Sequence, residues 1–163
     1  MTTTKMYLAA FALILGLSTA GISAALAQSP PPSVLASAQY SADPDLRCDI
    51  LEVKRVSGGA LNIRWRIINT VSQAGGLTGT AAKPIRYDLS WDQLYFIDPA
   101  ENKKYQYLTD SAGKRILEVF YGNMAPGQQR LNWAKFPAPP ASSSKITIQI
   151  PNFAPFDDVP VSQ

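Results

Sequence analysis

Residues 60–70 read ALNIRWRIINT, and this stretch decides the fold class. Leu61, Ile63, Trp65 and Ile67 occupy every second position, with Asn62, Arg64 and Arg66 between them. Side chains of an extended chain point alternately to opposite faces, so the pattern is that of a half-buried strand with Trp65 in the core. Immediately upstream, Cys48 to Val56 is moderately apolar and β-branched, and Ser57, Gly58 and Gly59 supply a tight reversal. The two arms are expected to form a hairpin.

The same reading extends towards the C-terminus. IRYDLSW (85–91), DQLYFID (92–98), YQYL (105–108) and RLNWAKF (130–136) each fit an extended strand. DPAENKK, TDSAGKR and MAPGQQ between them have turn chemistry. RILEVFYGN (115–123) fits a short helical turn as well as a strand, and a strand is adopted. The closing run alternates Ile146, Ile148 and Ile150 with Thr147 and Gln149. Pro137, Pro139 and Pro140 fence it on one side and Pro151 and Pro155 on the other, because proline cannot donate to a ladder. Phe153 and Phe156 are expected to fold back over its end. Val71 to Pro84, with three glycines and a proline, reads as a long surface loop. The expectation is an all-β, immunoglobulin-like antiparallel β-sandwich of seven or eight strands, with a small barrel as the alternative.

The N-terminal 27 residues read as a cleaved signal peptide: Lys5, an apolar run from Met6 to Leu17, then Ala25-Leu26-Ala27 before Gln28. The apolar core is shorter than the ~20 residues of a spanning helix, so no integral membrane segment is expected after cleavage. Residues 28–45, rich in Ser, Ala and Pro, read as an extended leader, and residues 46–163 as the β-sandwich domain. The exported chain of about 136 residues is long enough to fold without a disulfide. Cys48, the single cysteine, reads as a small buried apolar residue, with a free reactive thiol or an intermolecular disulfide as the alternatives. Loss of Lys5 takes the net charge from +3 to +2, and no long basic run remains to suggest nucleic acid. The expected location is periplasmic or secreted.

LEVKRVSGGALNIRWRIINT, YFIDPAENKKYQYLTDSAGK, MAPGQQ and WAKFPAPPASSSKITIQIPNFAPFDDVPV together resemble the immunoglobulin-like β-sandwich module of exported bacterial proteins. That module is found ahead of outer membrane protein A-like peptidoglycan-binding domains. The resemblance spans about Leu46 to Val161, and WAKFPAPP with the PFDDVPV ending is its most specific part. It implies an exported, non-enzymatic domain and carries over no catalytic residues. The chain departs from the longer proteins by stopping at Gln163, so no peptidoglycan anchor is carried over.

The chain contains no histidine, which removes Ser-His-Asp, Cys-His and histidine-bearing metalloprotease chemistry at once. A pair of carboxylates could still hydrolyse glycosides, with Asp88, Asp92, Asp98, Glu101, Asp110, Glu118, Asp157 and Asp158 as candidates, most of them in turns. Asp157 and Asp158 lack the Asp-rich loop grammar of a calcium site and read as a solvated turn. GGLTG lacks the lysine and following helix of a phosphate loop. No cofactor or metal is expected. Trp91, Tyr95, Tyr105, Tyr107 and Trp133 form the candidate binding patch, since exposed aromatic rows stack on sugars or anchor protein partners; core packing is the competing role for the same rings. The function expected is an exported binding or envelope-structural module, its partner an envelope protein or a glycan. The alternatives are a carbohydrate-binding module and a two-carboxylate, glycosidase-like enzyme.

Overall fold

The hairpin around Gly58 and Gly59 organises the protein. The computed structural model describes residues 33–71 and 84–163; residues 1–27, read as a signal peptide, and positions 72–83 of the expected long loop lie outside the described residues. In it β2 (Leu46–Val56) and β3 (Ala60–Asn69) pair antiparallel along their whole length. Gly58 and Gly59 turn the chain at φ values of 81° and 69°, a left-handed region that glycine enters without steric cost. Ile50 stands opposite Trp65 and Glu52 opposite Arg64, so Leu51 is an inserted residue. This bulge lets Ile50 and Val53 both face inward although they are three positions apart.

Around the hairpin, β1 (Ala36–Gln39), β2, β3, β9 (Gln129–Pro137) and β7 (Leu117–Glu118) form a five-stranded sheet in that order. A four-stranded sheet runs β11 (Phe156–Pro160), β10 (Lys145–Gln149), β5 (Tyr95–Asp98), β6 (Lys103–Gln106). A short ribbon pairs β4 (Ile85–Tyr87) with β8 (Gly122–Met124), and Trp91–Gln93 make a single 3₁₀ turn. Every pairing between these strands is antiparallel, and the described residues form an all-β structure. Among the described residues no helix is long and apolar enough to cross a membrane.

The two larger sheets share one core. Leu61, Ile63, Trp65, Ile67 and Phe136 from the first, and Phe96, Ile146 and Ile148 from the second, are fully buried. The rings of Phe96 and Phe136 meet edge to face across the interior, with centroids 5.5 Å apart. Cys48 is free and buried in the same cluster. Burial, reinforced by the neighbouring Asp49 charge, pushes its thiol well above the ordinary range.

Both edges of this sandwich are bridged. Beyond β6 the Leu108 N–H donates to the Lys135 carbonyl (2.7 Å) and the Leu108 carbonyl accepts from Ile116 N–H (2.9 Å), so the chain passes from the second sheet to the first. At the other edge Ser162, just past β11, donates to Val53 O (2.8 Å) and accepts from Arg55 N–H (3.0 Å) in a parallel bridge to β2. The arrangement is a sandwich with part of the closure of a barrel.

Several expectations are corrected. The chain between 36 and 45 is not a leader: β1 pairs with β2, and Tyr40 is buried with its ring 5.7 Å from Tyr87 and 5.4 Å from Phe153. Among the described residues eleven strands stand where seven or eight were expected, because several are only two to four residues long. RILEVFYGN contributes just Leu117–Glu118 to the five-stranded sheet, and its last residues begin β8. Asp157 and Asp158 lie within β11, not in a turn. There Val159 opposes Ile146 and Phe156 opposes Ile148, so one extra residue is accommodated, with Asp158 at φ 54°. The bulge turns both Phe156 and Val159 into the core. The closing strand is as read: β10 lies between β11 and β5, Ile146, Ile148 and Ile150 are fully buried, and Phe153 and Phe156 are buried beside them.

Candidate functional site

Strand register builds the outer face of the five-stranded sheet in rows. Ser37, Asp49, Arg66 and Leu131 form one row, Glu52, Arg64, Trp133 and Glu118 the next, and Lys54, Asn62 and Lys135 a third. These residues alternate with buried Ile63, Trp65 and Ala134, which fixes them on the solvent side. Asp49 is nonetheless fully buried, roofed by its own partners. Arg66 Nη2 (2.8 Å), Ser37 Oγ (2.7 Å) and Arg47 Nε (2.9 Å) all donate to its carboxylate. Burial alone would raise its pKa, but the bonds from Arg66, Ser37 and Arg47 outweigh burial and hold the carboxyl below its usual range. Trp133 lies half-exposed on this face, its Nε1–H donating to Glu118 Oε2 at 3.1 Å.

Beside Trp133 the turn after β6 returns as Lys114, Arg115 and Ile116. An Asx-type arrangement fixes this turn, the Asp110 Oδ1 accepting N–H bonds from Ala112 and Lys114, each 2.9 Å long. The Arg115 guanidinium lies 4.5 Å from the Trp91 ring centroid and 5.8 Å from that of Tyr107, and its Nε–H donates to the Tyr107 hydroxyl at 3.2 Å. Trp91 and Tyr107 meet edge to face at 6.3 Å. Arg115, Lys114, Asp110 and Trp133 line a shallow groove of about 310 Å³ floored by Ile116 and Leu117. The arrangement offers aromatic surface, an immobilised guanidinium and an open cleft, which suits binding of a ring-bearing or extended ligand.

Of the five aromatic residues read from the sequence, Trp91, Tyr107 and Trp133 thus gather around Arg115 and its groove. Tyr95 does not join them. It lies on the outer face of the four-stranded sheet, with Lys104 Nζ 3.8 Å from its ring centroid. Tyr105 is buried and stacked on Phe96 at 4.6 Å, so it belongs to the core. Burial, then its hydrogen bond with Glu101, raises its phenol pKa. The sequence reading did not single out Lys114, Arg115, Arg64 or Lys135. The last two were legible, because strict alternation in NIRWR and NWAK places them on the outward face with Trp133.

Most of the candidate carboxylates have local partners. Asp98 is buried against Ser143 Oγ, Asp88 pairs with Arg86, Glu101 accepts from Tyr105, and Glu118 accepts from Trp133. Asp157 accepts from Thr147 Oγ1 and Asp158 faces Lys145 at 3.7 Å. Among the described residues there is no group of three or more Asp, Glu or Cys side chains placed to hold a metal ion. No family model matches the chain, and no curated protein or solved structure matches it either.

Proposed function

We propose that this protein is an exported, non-enzymatic binding module of the bacterial cell envelope, built on an immunoglobulin-like sandwich. Its working surface is the outer face of the five-stranded sheet together with the groove beside Trp133. The observation that carries this reading is the packing of Trp91 and Tyr107 on one arginine, Arg115, that lines an open groove together with Trp133. Two features favour binding over catalysis: the chain has no histidine, and the carboxylates next to Trp133 and in the Asp110 turn are engaged in holding local structure. Export rests on the character of residues 1–27, and the envelope assignment on the resemblance of residues 46–161 to modules of exported proteins.

The test is photo-crosslinking in cells that export the protein, with a benzophenone amino acid placed at 115 or 133 and, as controls, at 97 or 149 on the opposite sheet. Adducts confined to 115 and 133 are expected. Adducts of equal yield on both sheets, or at the controls alone, would remove this face from the function.

A further inference from the structure

We infer that the ligand of this surface is an acidic glycan, a chain of sugar rings carrying carboxylates; the inference rests on the proposed binding role of the same face. The sequence has no basic run, but the fold collects dispersed cations around Trp133. Arg64 is its cross-strand neighbour, Lys135 follows it on the same face of β9, and Lys114 and Arg115 share its groove. None of these four side chains has a carboxylate partner among the described residues. The nearby carboxylates are three against these four cations, and each is hydrogen-bonded locally: Glu52, across from Arg64, accepts from Asn62 Nδ2, Glu118 accepts the Trp133 indole N–H, and Asp110 accepts two backbone N–H groups. The surface therefore carries excess positive charge around aromatic rings.

Arg115 supplies the specific element. Trp91 and Tyr107 hold its planar guanidinium, and Nε–H is committed to the Tyr107 hydroxyl. The side chain is exposed, and its terminal nitrogens, with no protein acceptor among the described residues, form a fork that fits a carboxylate at two points. The half-exposed Trp133 ring offers a face on which a sugar ring can stack. An acidic peptide would use the cations but has little use for a planar ring beside them. A neutral glycan would use the ring and leave the four cations idle.

The test is binding of the purified protein to polygalacturonate, alginate and hyaluronate, to methyl-esterified polygalacturonate, and to polyglutamate. Binding to at least one acidic glycan is expected, weakening with salt, and binding to the ester and to polyglutamate should be far weaker. Arg115→Gln, Arg64→Gln and Lys135→Gln should each lower affinity by about two- to fivefold, the scale of one exposed ion pair, with unchanged melting. Trp133→Ala tests the ring and should weaken all glycans alike. Equal binding of acid and ester would overturn the acidic reading while leaving a glycan-binding module. Polyglutamate binding as strong as that of the glycans would make this a site for acidic protein. No binding to any acidic glycan would overturn the inference, whereas the crosslinks at 115 and 133 would separately stand or fall for the binding role.

Discussion

Asp49 has no solvent-accessible surface, yet it stands on the side of its sheet that faces water. Two arginines and a serine make this possible by covering the carboxylate with donors. Removing it would leave Arg66, only 23% exposed, without its counter-charge. Asp49→Ala is therefore expected to destabilise the protein by about 3 kcal/mol, the scale of breaking a buried charge pair, read from denaturant unfolding. The pH dependence has a definite sign. Because the folded carboxyl titrates below its unfolded value of about 4, its stabilisation is fully present above that value and is lost as pH falls through the folded pKa. Melts of the parent should fall below about pH 4, and Asp49→Asn, melting lower at neutral pH, should fall less steeply. Parallel curves would assign the acid sensitivity to other groups.

At the level of elements, the closing segment from Ile146 to Val159 is integral to the core. Ile146, Ile148, Ile150, Phe153, Phe156 and Val159 are all at most 4% exposed. Each contributes about 1.5–3 kcal/mol on burial, against a typical net stability of about 5–15 kcal/mol. Truncation after Pro140 should abolish the cooperative melt and collapse proton NMR dispersion; a melt near that of the full chain would make β10 and β11 an appendage. These isoleucines, like Leu61 to Ile67, were legible because a two-residue period runs through them unbroken. β1 was not, since Ala36 and Ala38 are its inward residues and two alanines make a faint stripe. The bulges at Leu51 and at Asp157–Asp158 each insert one residue, which breaks the period in the sequence while preserving it in space. At the site, Trp133 could be read as outward or core, but its neighbours across the groove could not. Arg115 meets Trp91 through a contact that spans 24 positions, and no local pattern encodes it.

For the molecule as a whole, the seams between sheets set the boundary conditions. Ser162 N–H and Oγ both donate to Val53 O, Arg55 N–H donates to Ser162 O, and Val161 N–H donates to Ser144 O. Deleting residues 161–163 should cost about 2–4 kcal/mol at roughly 1 kcal/mol per bond, and should expose the β2 edge to pairing between molecules. A lowered denaturation midpoint together with concentration-dependent light scattering is expected; an unchanged midpoint would mean the seam is ornamental. The same seam has a mechanical consequence. Leu35 N–H donates to Ile50 O and Ser162 docks on Val53, so the segments just before β1 and just after β11 grip one strand on either side of the Leu51 bulge. Tension applied between those segments would not stretch the sandwich along its length. It would load the bonds that hold these two segments to β2 one after another, as a zipper opens, so the first bonds to part would be those at Ile50 and Val53, ahead of the inward side chains of β1 and β11.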